Sequence, residues 1–397
     1  MSAALARLSL KAGHIQPVWA GHPWIFAQAV GKIEGDARPG SEVIVCDPKG
    51  APLGRGLYSP GSAIAVRLFT QNAEEPIDDE FFSRRIRLAL ARRTALGLPS
   101  EQTTGMRLIH AEGDGLPGLV VDRLGDVLAV QWGTLGLKLR QDSISNLLER
   151  ELRPRAIVDR TGARAAEQEG FTHLPRGGRG SAPDAFEFVE RGLRYRIPLA
   201  LGQKTGFYFD QRPLRARVEE LSRGRRVLDA YCYVGSIALS AARGGASEVI
   251  AVDTSAPALA VLGELAQDHG FGDRVRVVHG DALAELRGGS DAFDLVVCDP
   301  PKLAPARSAR GKATDAMRRI AGAAAGACRD GGILVLSSCS AALGLAELGR
   351  ALALGARDVG RRAIVLERLF QGPDHPVPAA FPEGLYLSSV IAELQRM

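Results

Sequence analysis

The 397-residue chain lacks the features expected of a membrane-spanning, exported or metal-binding protein. No apolar run approaches the ~20 residues needed to cross a bilayer. No long apolar stretch follows the first basic residue, as it would in a cleaved signal peptide. The five cysteines are odd in number and form no CxxC pair, which disfavours both a disulfide framework and a zinc site. We therefore expect a cytoplasmic protein with no membrane and no metal partner.

A GxGxxG fingerprint is also missing, which disfavours a nicotinamide-dependent dehydrogenase. What the chain does have is a modest excess of positive charge, +5, carried almost entirely by arginine rather than lysine. Arginine makes forked contacts with phosphate and stacks on bases. This composition suits a nucleic-acid partner, although the base composition of the genome would explain it equally well.

The order of strand and helix patterns predicts three domains. Residues 1–72 contain short apolar runs broken by glycine, proline and aspartate, which is typical of a small β-barrel. Residues 73–190 combine a helix, a hairpin, a second helix and a strand, and predict a small α+β domain. In residues 191–397 short β-branched strands alternate with helices rich in alanine and leucine. This alternation predicts an α/β fold with a doubly wound, mainly parallel sheet.

Acidic residues end three successive strands of the last predicted domain. They are Asp229, Asp253, which lies 24 residues later, and Asp281. Ligands of open α/β sheets bind at the carboxyl ends of the strands, where an acidic residue suits ribose hydroxyls, and Asp281 would accept a hydrogen bond from an adenine amino group. Tyr231 and Gly235 follow the first strand, and a glycine there would let a cofactor approach the backbone. Each aspartate alone is equally a helix N-cap, but together they predict S-adenosyl-L-methionine.

The fourth and fifth strands end in residues suited to base chemistry. The fourth ends in Asp299-Pro300-Pro301-Lys302, where two prolines fix the backbone and aim the carboxylate at a flat, polar ring; the alternative is a simple proline stop. The fifth ends at Cys339, which we expect to face Asp299 because these strands are neighbours in this fold. Basic residues beyond the fourth strand are expected to contact the RNA backbone. They are Lys302, Arg307, Arg310 and Lys312.

Seven segments, in order along the chain, resemble a known family. They are GHPWIF, EGDGLPGLVVDR, GQKTGFYFDQR, DPPK, SSCS, QGPDHPVP and FPEGLYL. The set is similar to the RlmI-type large-subunit (23S) ribosomal RNA cytosine-5 methyltransferases, and the resemblance covers essentially the whole chain. It implies an N-terminal PUA domain that binds RNA, a small middle domain and a class I (Rossmann-like) methyltransferase domain. It also implies S-adenosyl-L-methionine as cofactor and large-subunit ribosomal RNA as partner. The sequence leaves the oligomeric state open, and a homodimer is one alternative.

By the same resemblance, GQKTGFYFDQR contributes to the cofactor and substrate site. The positions carried over are Gln203, Lys204, Phe207 and Asp210 for the cofactor, and Arg212 for RNA. Either Phe207 or Tyr208 would stack on a base extruded from its helix. An aromatic residue at strand spacing is equally a core residue.

The chemistry expected of the family requires a nucleophile, because carbon 5 of cytosine reacts poorly by itself. We expect the Cys339 thiolate to add to carbon 6 while Asp299 holds the polar edge of the ring. The chain departs from the family pattern at Leu303, where an aromatic is usual. Pro301 or Lys302 also stands where a broader group of such enzymes has a second cysteine. Two alternatives therefore stay open: a base-nitrogen RNA methyltransferase that uses DPPK, and a non-catalytic RNA-binding ribosome-assembly factor.

Overall fold

The computed structural model describes residues 4–172, 178–201, 205–303, 310–340 and 343–397. The chain forms two compact units, Met1–Phe207 with Pro373–Gly384, and Tyr208–Gly372 with Leu385–Met397. Residues 191–207 and 373–384 thus fold with the first unit, whereas the sequence interpretation assigned them to the last domain. The division into three domains stays a prediction.

The first unit begins with a six-stranded sheet in the order β2-β6-β5-β4-β1-β3. In β1 every second side chain is buried, as expected when one face of a sheet covers a core. Cys46 is fully buried here, which makes it a packing residue. The elements are β1 (Ala6–Leu10), α1 (Ile15–Trp19), β2 (Trp24–Phe26), β3 (Val30–Glu34), β4 (Glu42–Cys46), β5 (Pro52–Tyr58) and β6 (Ile64–Thr70).

The same unit contains a five-stranded sheet, β11-β10-β9-β8-β7, and a two-stranded one, β12-β13. The longest helix here, α2, begins after Asp78, whose carboxylate accepts a hydrogen bond from the Phe81 backbone N–H. The elements are α2 (Asp79–Ala95), β7 (Gly105–His110), β8 (Leu119–Leu124), β9 (Val127–Trp132), α3 (Leu135–Lys138), α4 (Gln141–Leu152), β10 (Ala156–Asp159), α5 (Ala163–Gln168), β11 (Gly178–Gly180), β12 (Ala185–Glu190) and β13 (Leu193–Pro198).

Hydrogen bonds and ring contacts explain why the two reassigned segments belong to the first unit. The β12-β13 hairpin is tied to it by Thr104, whose N–H donates to the carbonyl of Val189 at 2.8 Å. Segment 373–384 is tied by the buried Arg93, which donates to the Asp374 carbonyl at 2.7 Å. The Phe381 ring packs edge-on against Trp24 with centroids 4.7 Å apart. These contacts join residues up to 357 positions apart in the chain, so local sequence patterns could not predict them.

The second unit is a seven-stranded sheet in the order β16-β15-β14-β17-β18-β20-β19. All pairs are parallel except those made by β20. The predicted strands are confirmed, and the order reverses between β14 and β17, which is where such sheets bind ligands. The elements are α6 (Arg212–Leu221), β14 (Arg226–Ala230), α7 (Ser236–Arg243), β15 (Glu248–Asp253), α8 (Ala256–Asp268), β16 (Val275–His279), α9 (Ala282–Gly288), β17 (Phe293–Cys298), α10 (Arg310–Ala327), β18 (Cys328–Ser338), α11 (Leu345–Asp358), β19 (Arg361–Phe370) and β20 (Ser388–Arg396).

Candidate active site

A buried carboxylate lies at the carboxyl end of β14. Asp229 is 1% exposed, and its Oδ2 accepts a hydrogen bond from the Ala238 N–H of α7 at 2.9 Å. Its Oδ1 is also buried but has no hydrogen-bond partner within the described part of the chain. Burial raises the pKa of Asp229 well above its usual range, the Ala238 hydrogen bond opposes this, and the charges of Asp299 and Asp253 add to it. An unsatisfied buried acceptor is rare in a folded protein, and this one fits the ammonium group of an amino-acid-bearing cofactor.

The loop between β14 and α7 is bent by three residues with positive φ. These are Tyr231 at +68°, Tyr233 at +52° and Gly235 at +71°. The next strand end holds this loop in place, because Asp253 Oδ2 accepts from the Tyr233 N–H at 2.9 Å and its Oδ1 accepts from the Ser255 N–H at 2.8 Å. Each carboxylate oxygen can accept a second hydrogen bond. Asp253 is therefore both a clamp on this loop and an acceptor suited to ribose hydroxyls.

Packing gives a second reason for glycine at position 235, besides the cofactor approach that the sequence suggested. A Cβ at Gly235 would overlap with the side chain of Leu262 on α8, and the positive φ independently disfavours a larger residue. Packing between the loop and α8 thus explains the glycine. Close approach of a cofactor to Gly235 stays a prediction.

Asp281, which follows the third of these strands, has the helix-capping role that its position in the sequence allowed. Asp281 is exposed and forms the N-cap of α9, with its Oδ1 accepting from the Ala284 N–H at 2.7 Å. Tyr231 lies nearby: burial, then the charges of Cys298 and Asp281, raise the pKa of its hydroxyl to about 12. Recognition of an adenine edge by Asp281 stays a prediction.

The end of β17 carries a carboxylate held by a glutamine. Asp299 is half-buried, and its Oδ2 accepts a hydrogen bond from Gln211 Nε2 at 2.7 Å. Gln211 itself is only 5% exposed. Pro300 is buried, whereas Pro301 and Lys302 are exposed. The Asp299 carboxylate is therefore held by the Gln211 amide, and Lys302 stays accessible.

The Tyr208 hydroxyl is affected by the charges of both predicted catalytic residues. Burial raises the pKa of its hydroxyl, and the charges of Tyr233, Asp299, Asp210 and Cys339 raise it further. Both Asp299 and Cys339 are therefore close enough to act electrostatically on one hydroxyl group. This agrees with their expected positions at the ends of neighbouring strands, since β17 pairs in parallel with β18.

Cys339 differs from the other cysteines in its exposure. It follows β18 and is half-buried, whereas the other four are buried. Burial raises the pKa of the Cys232 and Cys298 thiols. A raised pKa disfavours the reactive thiolate, so both cysteines fit the role of packing residues. A cysteine in the first turn of a helix has a lowered pKa. Helix α11 begins at Leu345, six positions after Cys339, so Cys339 does not have such a position.

Asp210 is anchored by two parts of the chain that the sequence interpretation left without a role. The Tyr386 hydroxyl donates to its Oδ2 at 2.6 Å, and the Gly372 N–H donates to its backbone carbonyl at 2.9 Å. Gln371 Oε1 in turn accepts from the Tyr386 N–H at 3.2 Å. Sequence reasoning missed Tyr386 and Gln211 as site residues, although both lie within quoted motifs, FPEGLYL and GQKTGFYFDQR.

Phe207 is part of the core of the first unit. It is 2% exposed and packs in the first unit against Phe188 and Tyr195, with ring centroids 5.0 and 4.9 Å away. Phe207 therefore has the role of a core residue, the alternative to base stacking. Tyr208 is the better candidate for stacking on a base.

The expected RNA-contacting residues are only partly described. Arg212 begins α6, with its guanidinium 5.9 Å from the centroid of the Phe209 ring, and Lys312 is exposed in the first turn of α10. Arg310 is the first residue of that helix, and its side chain is outside the described part. The predicted positions Gln203, Lys204 and Arg307 also lie outside the described residues.

No helix among the described residues is both long and apolar enough to cross a membrane. Within the same residues, no three histidine, cysteine or acidic side chains are grouped to hold a metal ion.

The sheet order and the acidic strand ends of the second unit define the class of S-adenosylmethionine-dependent methyltransferases. The family model of that description matches residues 178–383, and the PUA-like domain family matches residues 8–71. The fold is similar to that of the candidate methyltransferase SMU.776, solved in complex with SAH. The TM-score is 0.84 at 17% identity, with 98% of this chain and 99% of the other covered.

Curated relatives narrow the class. The chain is 36% identical to the ribosomal RNA large subunit methyltransferase I of Shewanella amazonensis, over 98% of this chain and 99% of the relative. It is 34% identical to the protein of the same name from Erwinia tasmaniensis, over 96% and 97%. The chain belongs to the ribosomal RNA large subunit methyltransferase I family.

Proposed function

We propose that this protein methylates carbon 5 of a cytosine in large-subunit ribosomal RNA, in the cytoplasm, with S-adenosylmethionine as methyl donor. The observation that carries the proposal is that Asp299 and Cys339 follow two neighbouring parallel strands, β17 and β18. The PUA-like domain and the names of the relatives support an RNA substrate. A homodimer stays a prediction.

The described residues fit this cofactor. Asp229 Oδ1, which has no donor among the residues that the structure describes, would accept from the ammonium group, and Asp253 would accept from the ribose hydroxyls. Tyr231, which follows β14, and Asp281, which follows β16, would border the adenine. When bound, the cofactor supplies an electrophilic methyl group.

The protein's own part in the reaction is to make carbon 5 of the base nucleophilic. The Cys339 thiolate forms a bond to carbon 6, and the electrons of the 5,6 double bond move toward carbon 5. Asp299 accepts a hydrogen bond from nitrogen 3 once that atom has taken up a proton, and the N3 proton offsets the negative charge that the thiolate brings to the ring; this proton is lost again when the product ring re-forms. After carbon 5 has gained the methyl group, a base removes its proton. The electron pair re-forms the double bond, and the carbon–sulfur bond breaks to release the thiolate. The target must first leave the base stack to reach Cys339.

A covalent trap tests the mechanism. In RNA that carries 5-fluorocytidine, the fluorine at carbon 5 cannot leave as a proton, so the adduct between carbon 6 and Cys339 accumulates. The wild-type protein should give a band of RNA-linked protein on a denaturing gel, and Cys339→Ala should not. The matched control Cys46→Ala, in the first unit, should still form the adduct. If Cys339→Ala retains methylation, the cytosine-5 proposal fails, and nucleoside analysis should then show a methylated ring or exocyclic nitrogen.

A further inference from the structure

We propose that Gln211 recognises the 4-amino group of the target base and so makes the enzyme select cytosine over uracil. This inference rests on the proposed function. The amide is 95% buried at the end of a short 3₁₀ turn, Phe209–Gln211, that leads into α6. Its Nε2 donates to Asp299 Oδ2, while its Oε1 is buried and has no hydrogen-bond partner among the described residues. A buried amide oxygen without a donor is destabilising, and a donor on the ligand would remove that cost.

The orientation of this amide is fixed by its neighbour. An ionised carboxylate only accepts hydrogen bonds, so Gln211 must present its NH₂ group to Asp299. A flip of the amide would place Oε1 against the carboxylate and bring two acceptors together. Because Oε1 and Nε2 share one carbon atom, Oε1 stays beside Asp299. The backbone there is also held, since the Gln211 N–H donates to the Tyr208 carbonyl at 3.2 Å.

The pyrimidine ring places a distinguishing group next to the atom that Asp299 holds. In the proposed mechanism Asp299 contacts the nitrogen 3 edge, and carbon 4 is adjacent to that nitrogen. Carbon 4 carries an amino donor in cytosine and a carbonyl acceptor in uracil. An acceptor locked beside Asp299 therefore gains a hydrogen bond from cytosine and is repelled by uracil.

Asp229 Oδ1 and Gln211 Oε1, each without a partner among the described residues, suit different donors. Asp229 Oδ1 belongs to a carboxylate, which interacts more strongly with a cation than a neutral amide does. Gln211 Oε1 is neutral and suits the neutral amino group of a base. This assignment leaves the ammonium group of the cofactor to Asp229.

The test removes either partner of the proposed hydrogen bond. Bisulfite mapping of large-subunit ribosomal RNA treated with the wild-type protein first locates the target, and a failure at this step contradicts the proposed function itself. RNA fragments are then made with cytidine, 2-pyrimidinone riboside, which lacks the 4-amino group, or uridine at that position. Dissociation constants are measured in the Cys339→Ala background with SAH present, so that no adduct forms.

With Gln211 in place, loss of the 4-amino group should weaken binding by about 5- to 10-fold, the value of one hydrogen bond, and uridine should bind still more weakly. In Gln211→Met, and in Gln211→Leu as a second variant, the three RNAs should bind with constants within about twofold of one another. The exposed Gln395→Met on β20 should keep the wild-type ratios. The inference is wrong if Gln211→Met preserves those ratios. It is equally wrong if Gln211→Met weakens the binding of SAH in the absence of RNA while the ratios between the three RNAs persist. The amide would then bind the cofactor and not the base.

Discussion

Asp229 gives the sharpest prediction, because its replacement should change stability and cofactor affinity in opposite directions. In the protein without cofactor, the Asp229 carboxylate is fully buried with one oxygen unsatisfied. Asp229→Asn keeps an oxygen for the Ala238 N–H and removes a buried charge. Unpaired buried charges are costly, so the cofactor-free variant should be at least as stable as the wild type at neutral pH.

The pH dependence follows from the direction of the pKa shift. Burial raises the folded-state pKa of Asp229 above its ordinary value of 3.8. The folded protein thus binds this proton more tightly than the unfolded chain does, so wild-type stability falls as the pH rises above about 3.8 until it passes the folded-state pKa. Asp229→Asn lacks this contribution, and its stability relative to wild type should increase across that window.

Cofactor binding should move the other way. The variant places an NH₂ group where the wild type offers an oxygen to the ammonium group. Loss of a hydrogen bond to a charged group costs about 1.5–3 kcal/mol, or roughly 10- to 150-fold in affinity for SAH. Since the ammonium group favours the ionised carboxylate, wild-type affinity for SAH should rise with pH, whereas that of the variant should lose this dependence.

Calorimetric titration with SAH and thermal unfolding, both between pH 5 and pH 8, would measure the two effects. One kcal/mol corresponds to about 2–4 °C in Tm for a unit of this size. Asp268→Asn, exposed at the end of α8, is the matched control and should change neither quantity. The reasoning is refuted if Asp229→Asn binds SAH as tightly as the wild type while its cofactor-free Tm falls by several degrees. Asp229 would then be a structural residue.

Three further substitutions test other parts of the structure. Tyr386→Phe removes the hydroxyl that positions Asp210 and should lower kcat/KM about 5- to 10-fold with little change in Tm; unchanged steady-state kinetics would contradict this role. Gly235→Ala should destabilise the second unit by about 1–3 kcal/mol, and a second change, Leu262→Ala, should recover part of the loss if overlap is the cause, as thermal unfolding of both variants would show. Phe381→Ala should cost the first unit about 3–5 kcal/mol and expose segment 373–384 to limited proteolysis, so resistance equal to wild type would count against its packing role.

Local patterns in the sequence were sufficient to predict the sheet of the second unit. Runs such as VLDA at Val227 and VIAVD at Val249 are β-branched and apolar on both faces, and the burial of these strands follows directly from that composition. The acidic strand ends were predictable for the same reason, since the carboxyl end of a parallel strand is a fixed place in the fold. The expected proximity of Cys339 and Asp299 followed from the known strand order of such sheets.

The sequence by itself therefore determined the elements, the class of cofactor and the residues at the strand ends, because each depends on neighbours along the chain. Only the tertiary structure decided how the side chains there are partnered. It buried Phe207 in the first unit, paired Gln211 with Asp299 across 88 positions, and brought Tyr386 to Asp210 across 176. Contacts of this length leave no periodic signal in the sequence, since they arise when separate elements pack and each buried polar group must find a partner.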